Sequence, residues 1–429
     1  MNLDSLVPER ARFSSGLRAV VAPMPRVHRV VVTAYLRVGS RYEAPEENGI
    51  SHFLEHMLFR GTVRHPSAHR LALAFEDLGG TLVAATAADH GMLAIGIPPE
   101  NLEPVLDLFG EVFMAPIATD IDVERGIVRE EILEDLDENG HLIDGATLVR
   151  KLAFGDHGLG RPITGGIETL DTFTREKLLA HHARHYVAES SVISVAGPVD
   201  PEHTLRLVER TFASIGRGAF APDESAPPQE TPRFRHVQHP GSQTGIHLAF
   251  RGPGDHDARE PAVDMLLRII DDGMATRLYH RLCDSRGLCY DAGASYEAYA
   301  DTGLVELYTE TANERAGEVL GELFALTDEL AAHGPTPQEM ERTLRRSRWQ
   351  HEAMLDDPGS VADYLALAEL TQTAPTPSLR LEELSAVTRE RVHEAAAHVF
   401  RREGLSAVTV GRQSERARNK LRDRVLQGA

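Results

Sequence analysis

The pentapeptide His52-Phe53-Leu54-Glu55-His56 combines residue types and a spacing that can do chemistry. On a helix, residues four apart lie on one face about one turn apart, so both histidines can point a ring nitrogen at one ion. A catalytic zinc site has three protein ligands and a water, and histidine nitrogen is one of its usual ligands. Glu55 lies close to the same face and can take a proton from that water and pass it to a leaving amine. The order His-x-x-Glu-His therefore predicts a zinc-dependent hydrolytic site.

A third ligand is expected on an acidic helix, which we predict at Asp122–Glu138. Glu124 and Glu131 are seven residues apart, which is two helical turns, and so they share a face. One of them can ligate zinc while the other supports a ligand through a hydrogen bond. Apolar residues interleaved with these glutamates indicate that one side of the helix packs inward, against the alternative of a wholly solvated acidic face. The spacing alone does not choose among Glu130, Glu131 and Glu134 as the ligand.

Several other histidines have to be weighed against the pair in the pentapeptide. His90 follows Asp89 and is near enough in sequence to be a rival ligand. The remainder are expected to be surface or capping residues rather than ligands: His28, His65, His69, His181, His182 and His185.

The elements that must position these residues form a mixture of strands and helices. Short runs rich in β-branched residues predict strands, and the apolar residues around the histidine pair recur at helical spacing. In the first half we predict strands at 17–21, 30–38, 81–88 and 92–97, and helices at 51–59, 68–78, 102–113 and 122–138. In the second half we predict strands at 245–250, 290–299 and 304–309, and helices at 261–270 and 337–354.

The order of elements restarts after a proline-rich stretch at 219–232, which is typical of a linker. Each half also ends alike, with a helix and then a strand that runs into glycine, at 191–197 and 405–411. We therefore predict two domains of one topology, at 1–218 and 233–429, joined by the linker 219–232. The second domain has no counterpart of the histidine pair.

The bulk properties set outer limits on the function. A length of 429 residues suits two domains of about 200 residues. A formal net charge of −20 argues against a nucleic-acid-binding face. No stretch approaches the ~20 apolar residues of a membrane helix, and the start has no secretory pattern, so we expect a cytoplasmic protein without a membrane partner. The only cysteines, Cys283 and Cys289, cannot build a disulfide framework, and we expect buried, inert thiols.

Motifs spread along nearly the whole chain carry a resemblance to a known family. The longest is the run from Gly49 to Thr62 around the histidine pair. The others, in chain order, are Gly16-Leu17-Arg18, Gly39-Ser40-Arg41, Leu78-Gly79-Gly80, Glu124-Arg125-Gly126-Ile127-Val128, Gly160-Arg161-Pro162-Ile163, Val195-Ala196-Gly197, Thr276-Arg277-Leu278 and Arg286-Gly287-Leu288-Cys289-Tyr290. In this order they resemble the pitrilysin, insulinase and mitochondrial-processing-peptidase family in its half-length form.

The resemblance implies roles for the site residues. It makes His52 and His56 zinc ligands and Glu55 the general base. The family's third ligand is the glutamate seven residues after that of the Glu-Arg pair, which implies Glu131 as the ligand and Glu124 as a supporting carboxylate. The family fold is α+β, with two homologous domains per half, and two halves close like a clamshell around a chamber. We therefore expect two domains, each with a mixed or antiparallel sheet packed by helices, that form half of such a chamber.

Two departures from the family pattern bear on the substrate. The family usually has Asn-Ala in an edge strand that pairs with the substrate backbone, and here Val83 and Ala84 stand there. Pairing by strand addition needs only main-chain groups and survives this change. In the second domain the family has an arginine seven residues before a tyrosine, and the pair holds substrate and stabilises the oxyanion. Tyr290 is present, but Cys283 stands in place of the arginine and cannot supply a guanidinium.

The missing arginine has a consequence for assembly. In a two-chain enzyme the arginine–tyrosine pair facing the zinc comes from the partner chain, so the zinc chain's own pair is free to drift. We therefore expect a heterodimer with a homologous chain that lacks the zinc motif, and keep a homodimer as the alternative.

These features together predict a zinc-dependent endopeptidase acting on peptides, or on precursor or leader segments, inside a closed chamber. The alternative from another class is a catalytically silent structural or scaffold subunit of a peptidase-like complex. The intact set of His52, Glu55, His56 and Glu131 argues against that alternative. A zinc-binding, chaperone-like chamber is a third and weaker hypothesis.

Overall fold

The computed structural model describes residues 6–218 and 223–427. The described residues divide into two compact units: unit 1 comprises those of Met1–Ile132, Pro162–Asp223 and Arg348–Leu381, and unit 2 those of Leu133–Arg161, Glu224–Ser347 and Glu382–Ala429. The chain passes from unit 1 to unit 2 between Asp223 and Glu224, within the predicted linker, of which 219–222 lie outside the described residues. Segments 133–161 and 348–381 belong to the opposite unit from the one that a division at the linker implies. The division predicted at the linker concerns homologous domains and not compact units, and it stays a prediction.

In the part of the chain that the structure describes, six strands form the sheet of unit 1: β1 (Glu9–Arg12), β2 (Arg18–Pro23), β3 (Val30–Leu36), β4 (Val83–Thr86), β5 (Gly91–Ile97) and β6 (Ser191–Gly197). Their order is β1-β2-β6-β3-β5-β4, with β2 and β6 parallel and all other neighbours antiparallel. All residues of β3 and β6 are buried, as expected of central strands rich in valine and covered on both faces. β4 is an edge strand that pairs with β5.

The sheet of unit 2 has five strands among the described residues: β7 (Arg233–Gln238), β8 (Gln243–Gly252), β9 (Cys289–Ala298), β10 (Gly303–Ala312) and β11 (Leu405–Gly411). Their order is β7-β11-β8-β10-β9, with β7 and β11 parallel and the other neighbours antiparallel. If β7 is matched to β2, β11 to β6, β8 to β3, β10 to β5 and β9 to β4, the order and directions are those of unit 1 without its edge strand β1. The predicted α+β fold with two mixed sheets of one topology is therefore confirmed.

Helices cover both sheets. They are α1 (Ile50–Leu58), α2 (Ala68–Glu76), α3 (Leu102–Met114), α4 (Ile121–Glu134), α5 (Gly145–Phe154), α6 (Ile167–Leu170), α7 (Arg175–His185), α8 (Pro201–Thr211), α9 (Glu260–Ile270), α10 (Arg277–Tyr279), α11 (Ala316–His333), α12 (Pro337–Met354), α13 (Pro358–Thr371), α14 (Pro377–Ser385), α15 (Arg389–Val399) and α16 (Glu415–Gln427). In unit 1, α13 packs on β3 and β6, and its Val361 and Leu365 are buried in an apolar core. In unit 2, α5 packs on β8 and β11. None of the helices in 6–218 and 223–427 combines the length and apolarity that crossing a membrane requires.

Helix α1 carries the histidine pair, and local sequence explains its start. It begins after Gly49, which has a φ of 93°. A Cβ at this position would lie 2.6 Å from the carbonyl oxygen of Thr164, so the close approach and the positive φ both require glycine. Phe53, Leu54 and Met57 are fully buried and hold α1 against the core, while the histidine side chains remain partly exposed.

Helix α4 ends at Glu134, four residues before the predicted end. Oδ1 of Asp137 accepts hydrogen bonds from the main-chain N–H groups of Asn139 and His141, both at 2.8 Å. An aspartate side chain bonded to the backbone that follows it competes with helix formation and makes a turn. The acidic composition of the segment did not indicate that the helix ends at Glu134.

Candidate metal centre

Helices α1 and α4 carry three side chains whose ligand atoms converge. His52, His56 and Glu131 each offer one such atom, and these atoms lie within 4.8 Å of one another. Oε2 of Glu131 is 3.7 Å from Nε2 of His52 and 3.6 Å from Nε2 of His56. Of the glutamates that spacing left open, Glu131 is the one that lies at the histidines, whereas Glu130 and Glu134 are exposed.

The three atoms suit a zinc ion in kind and separation. Zinc binds histidine nitrogen and carboxylate oxygen at about 2.0–2.2 Å, so two ligand atoms of a tetrahedral site lie about 3.3–3.5 Å apart. The observed separations of 3.6 and 3.7 Å are close to that value. Oε2 of Glu131 is also buried without a hydrogen-bond partner among the described residues. Buried polar atoms normally have a partner, and a cation held between the three side chains would satisfy this oxygen.

A carboxylate behind His56 orients its ring. Nδ1 of His56 is 2.8 Å from Oε1 of Glu124, and the other oxygen of Glu124 accepts a hydrogen bond from Nε of Arg60. A histidine that donates from Nδ1 presents Nε2 to a metal. Burial lowers the pKa of His56, but the bond to Glu124 and the charge of Glu131 outweigh it, so the pKa is raised overall. Burial acts to raise the pKa of Glu124, and the bonds from His56 and Arg60 prevail and lower it.

His52 has the protonation state that a metal ligand needs. Its side chain is largely buried, and its ring centroid lies 4.6 Å from that of His56. Burial, reinforced by the neighbouring His56, lowers the pKa of His52 to about 4. At neutral pH the ring is therefore uncharged, which is the form that binds metals.

Glu55 lies beside the three candidate ligands, and a hydrogen bond from a neighbouring strand holds its carboxylate. The hydroxyl of Thr86, on edge strand β4, donates a hydrogen bond to Oε2 of Glu55. Burial raises the pKa of Glu55, while the bond from Thr86 and the charge of His56 oppose the shift. A carboxylate that holds a proton more readily than usual suits a group that must accept and then release one. Glu55 also lines an open cleft, with His56, Phe59, Arg60, Ala68, Glu124 and Ile127.

A second carboxylate, which the motifs did not single out, holds the start of α1. Glu43 is only 5% exposed. Its Oε2 accepts hydrogen bonds from the Gly49 N–H at 2.8 Å and from Nδ2 of Asn48 at 3.0 Å, and its Oε1 accepts one from the Ser51 N–H at 2.9 Å. Burial raises the pKa of Glu43, and these hydrogen bonds oppose the shift. Because Ser51 precedes His52, this carboxylate fixes the helical turn that aims the first histidine.

Replacing Glu43 with glutamine is expected to lower the free energy of unfolding by about 1–3 kcal/mol. The amide keeps the volume of the side chain, but its NH₂ group faces N–H donors, so at least one of them loses its acceptor. Urea unfolding of the variant and of the parent chain measures the difference. Glu46→Gln is the matched control, because Glu46 is exposed, and it should change stability by less than about 0.5 kcal/mol. Equal stabilities of the two variants would show that the Glu43 hydrogen bonds do not hold α1.

Sequence reasoning missed three residues around this site, for different reasons. Arg60 lies four residues after His56, and that helical spacing was an available signal. Glu43 lies six residues before Gly49, outside the spacing of a capping box, so no local rule points to it. Thr86 is on a strand well separated from α1 in sequence, and only the tertiary structure brings it to Glu55.

Tyr290 belongs to a different unit from the other predicted site residues. It is the second residue of β9 in unit 2, and its side chain is 94% exposed. The structure brings the other five together in unit 1: His52, Glu55, His56, Glu124 and Glu131.

Other histidines that the sequence offered lie away from the three candidate ligands or inside the core. His90 bonds through Nδ1 to Asp89 at 2.9 Å and is not part of the group that can hold a metal. The expectation of surface or capping positions is wrong for the three histidines of α7, which are buried: His181, His182 and His185. Each of the three rings has one nitrogen in a hydrogen bond, for example His182 Nε2 with the Phe113 carbonyl oxygen at 2.8 Å, whereas Nδ1 of His181 and Nε2 of His185 have no partner among the described residues. Their spacing matches the buried face of an amphipathic helix, and that was the available signal.

Comparisons with family sequence models match most of the chain. The model described as "Insulinase (Peptidase family M16)" matches residues 18–165. The model described as "Peptidase M16 inactive domain" matches residues 172–347.

Individual proteins resemble the chain over nearly its whole length. An uncharacterized zinc protease of Mycobacterium tuberculosis is 31% identical over 421 residues, which cover 96% of this chain and 95% of that protein. Among solved structures, a protease from Helicobacter pylori has a TM-score of 0.88 at 19% identity, covering 95% of this chain and 99% of that one. The first half of the periplasmic protease PqqL from Escherichia coli has a TM-score of 0.75 at 20% identity, covering 98% and 96%. At identities of 19% and 20%, these two solved structures are evidence for the fold alone.

Proposed function

The chain belongs to the insulinase family, peptidase family M16, and on that premise we propose that it is a zinc-dependent endopeptidase. The observation that carries the proposal is the convergence of His52, His56 and Glu131 within 4.8 Å, with the carboxylate of Glu55 beside them. The relative from Mycobacterium tuberculosis is named a zinc protease, which supports zinc as the ion. The substrates are peptides, or precursor or leader segments of proteins, admitted to a closed chamber.

Each side chain has one part in the proposed reaction. His52, His56 and Glu131 hold the zinc ion, and Glu124 keeps the ring of His56 in place through its hydrogen bond. A bound zinc ion supplies Lewis-acid chemistry, in which water is acidified and the carbonyl of a peptide bond is polarised. Glu55 takes the proton of the attacking water and delivers it to the leaving amine. By resemblance the hydroxyl of Tyr290 is a donor to the oxyanion, a role that it has if a second copy of this chain is the partner, whereas in a heterodimer the tyrosine of the homologous chain takes that role.

The edge of the sheet in unit 1 is the proposed place for the substrate backbone. β4 pairs with β5 through Val83–Thr86, and Val83 is 51% exposed. An extended peptide can add to such an edge through main-chain hydrogen bonds alone. Thr86, at the end of β4, bonds to Glu55, so a peptide on this edge lies near the proposed base. Val83 and Ala84 do not prevent this pairing.

We also propose that the chain acts together with a homologous chain. Cys283 stands where the family has an arginine, so this chain lacks the guanidinium that binds the substrate carbonyl. A partner that lacks the histidine pair but keeps arginine and tyrosine supplies it. The similarity to the first half of a longer protease supports an arrangement in which a second, homologous chain completes the site. A homodimer is the alternative arrangement, and the cytoplasmic location predicted from the sequence stays a prediction.

A second candidate function rests on the same substitution. The loss of the arginine at Cys283 is what a catalytically silent scaffold subunit would tolerate, and the second half of the chain matches a model described as an inactive domain. Retention of all three metal-ligand residues and of Glu55 weighs against this candidate, because a silent subunit has no need of them.

The proposal is tested by comparing the purified chain with the same chain co-purified with a homologue from its own genome that lacks the histidine pair. We expect about one zinc ion per chain by elemental analysis, which is the content of a single three-ligand site. Cleavage of a mixed peptide library, followed by mass spectrometry, is expected from the two-chain complex, to be lost on chelation and to return with zinc.

The results for the lone chain and for the two-chain complex distinguish the heterodimer, the homodimer and the scaffold. Full cleavage by the lone chain would contradict the heterodimer and leave the peptidase standing, with gel filtration then showing whether it is a homodimer. Zinc bound without cleavage in either form would contradict the peptidase and favour the scaffold. Absence of zinc from both forms would contradict the metal centre itself.

A further inference from the structure

The two cysteines of the chain face each other in unit 2. Cys283 lies in the short helical segment His280–Asp284, and Cys289 is the first residue of β9. Their sulfur atoms are 3.3 Å apart. Both residues are half-buried, so the expectation of buried thiols is wrong. The thiols are therefore close to one another and within reach of a small molecule.

The main chain between the two cysteines forms a closed turn that is held by two hydrogen bonds. The Gly287 N–H donates to the carbonyl oxygen of Cys283 at 3.1 Å, and the Leu288 N–H donates to that of Leu282 at 2.8 Å. A disulfide has an S–S distance of about 2.05 Å, so the two sulfur atoms have to approach by only about 1.3 Å.

The turn between the cysteines is held from outside as well. Arg286 forms ion pairs with Glu318 and Glu322 of α11. Nη1 of Arg315 donates a hydrogen bond to the carbonyl oxygen of Gly287 at 2.7 Å. These contacts keep the two thiols facing each other, and such a preformed pair closes without the entropy cost of bringing two distant residues together.

We propose that Cys283 and Cys289 form a reversible intramolecular disulfide, with low-molecular-weight disulfides such as oxidised glutathione as the oxidant. In the first step a cysteine thiolate attacks the glutathione disulfide, forms a mixed disulfide and releases one glutathione thiol. In the second step the other cysteine attacks the protein sulfur of that mixed disulfide and releases the second glutathione thiol. The protein loses two protons and two electrons, and the glutathione disulfide gains them.

The order of the two steps follows from the environment of Cys283. Burial, reinforced by the hydrogen bond with Cys289 and by its charge, raises the pKa of the Cys283 thiol. The thiolate is the reactive form, so Cys283 is the poorer first attacker and Cys289 starts the exchange. A mixed disulfide on Cys289 carries no thiolate charge, which removes part of what keeps Cys283 protonated. Cys283 then resolves the mixed disulfide.

Formation of this disulfide does not depend on the proposed peptidase activity, and its test uses none. The full chain is incubated with oxidised glutathione, alkylated and digested with trypsin. Trypsin cleaves after Arg281, Arg286 and Arg315, so the cysteines fall in two peptides, 282–286 and 287–315. We expect these two peptides to appear joined, to separate on reduction, and the free thiols of the folded chain to be lost together. Denaturing gel electrophoresis without reductant shows a disulfide between chains as a band of twice the mass that is lost on reduction.

Two single variants serve as controls. Cys283→Ser is expected to retain a glutathione adduct on Cys289, because the resolving thiol is gone, and Cys289→Ser is expected to react more slowly. A wild-type chain that retains glutathione on both cysteines, joins two chains, or forms the internal disulfide only in urea would overturn the proposal. Unreacted thiols in the folded chain at an oxidant concentration that modifies the urea-unfolded chain would overturn it as well.

Discussion

Replacing Glu55 with glutamine is expected to slow peptide cleavage by orders of magnitude and to leave zinc bound. Glutamine keeps the length of the side chain and an oxygen that can accept the hydrogen bond of Thr86, so the surroundings of the site are retained. It cannot take a proton from water at neutral pH. Loss of a general base costs about 10²–10⁴-fold in rate, and we expect kcat of the two-chain complex to fall by that factor. Cleavage of one peptide from the library measures kcat, and elemental analysis measures zinc.

The matched control for this variant is Glu46→Gln, the same chemical change at an exposed position a few residues before α1. It should retain both activity and zinc. If Glu55→Gln retained full activity, another group would have to move the proton. If it lost zinc together with activity, Glu55 would belong to the metal ligands, and its assignment as a base would be wrong.

Replacing Glu131 with glutamine is expected to remove the zinc ion and, with it, all cleavage. Glu131 contributes the only carboxylate in the group of three, and its Oε2 is the atom that lacks any other partner among the described residues. A neutral amide oxygen is a much weaker ligand for a divalent cation. Loss of a residue that only supports a ligand costs about 10–100-fold in metal affinity, so loss of a ligand should cost more than about 100-fold. Competition with a chromogenic chelator measures the affinity.

The same helix offers two controls of the same chemistry. Glu130 and Glu134 are exposed, and replacing either with glutamine should leave zinc affinity within about threefold of the parent chain, because both charges are screened by water. These are the residues that spacing alone could not distinguish from Glu131. A large loss of zinc in Glu130→Gln or Glu134→Gln, with none in Glu131→Gln, would place the ligand elsewhere on α4.

Most helices and strands predicted from periodicity are present in the structure. The helix predicted at 337–354 has those bounds, and that at 51–59 is shifted by one residue at each end. The predictions that were wrong concern the residue at which α4 ends and the burial of the histidines of α7. Helix α4 stops early because the Asp137 side chain bonds the following backbone. The histidines of α7 are buried because a neutral ring with a hydrogen bond tolerates burial, which the expectation of surface or capping positions did not take into account.

The compact units also differ from a division of the sequence at the linker. Helix α5 precedes the linker but packs on the sheet of unit 2, and α13 follows it but packs on the sheet of unit 1. Both have amphipathic or apolar sequences that fit any sheet with an uncovered face. Periodicity shows that a helix has a face to bury, and it carries no information about which sheet receives that face.

Helix geometry over one or two turns is the part of the site that can be read from the residues alone. Residues four apart share a face, so spacing is enough to pair His52 with His56 and to place Glu55 beside them. Glu131 comes seventy-five residues after His56, and no local rule connects the two. The packing of α4 beside α1, with Val128 and Ile132 buried and Ile127 exposed, decides that Glu131 meets the histidines and that Glu130 and Glu134 do not. This choice belongs to the tertiary fold, because contacts between distant segments depend on how whole faces pack.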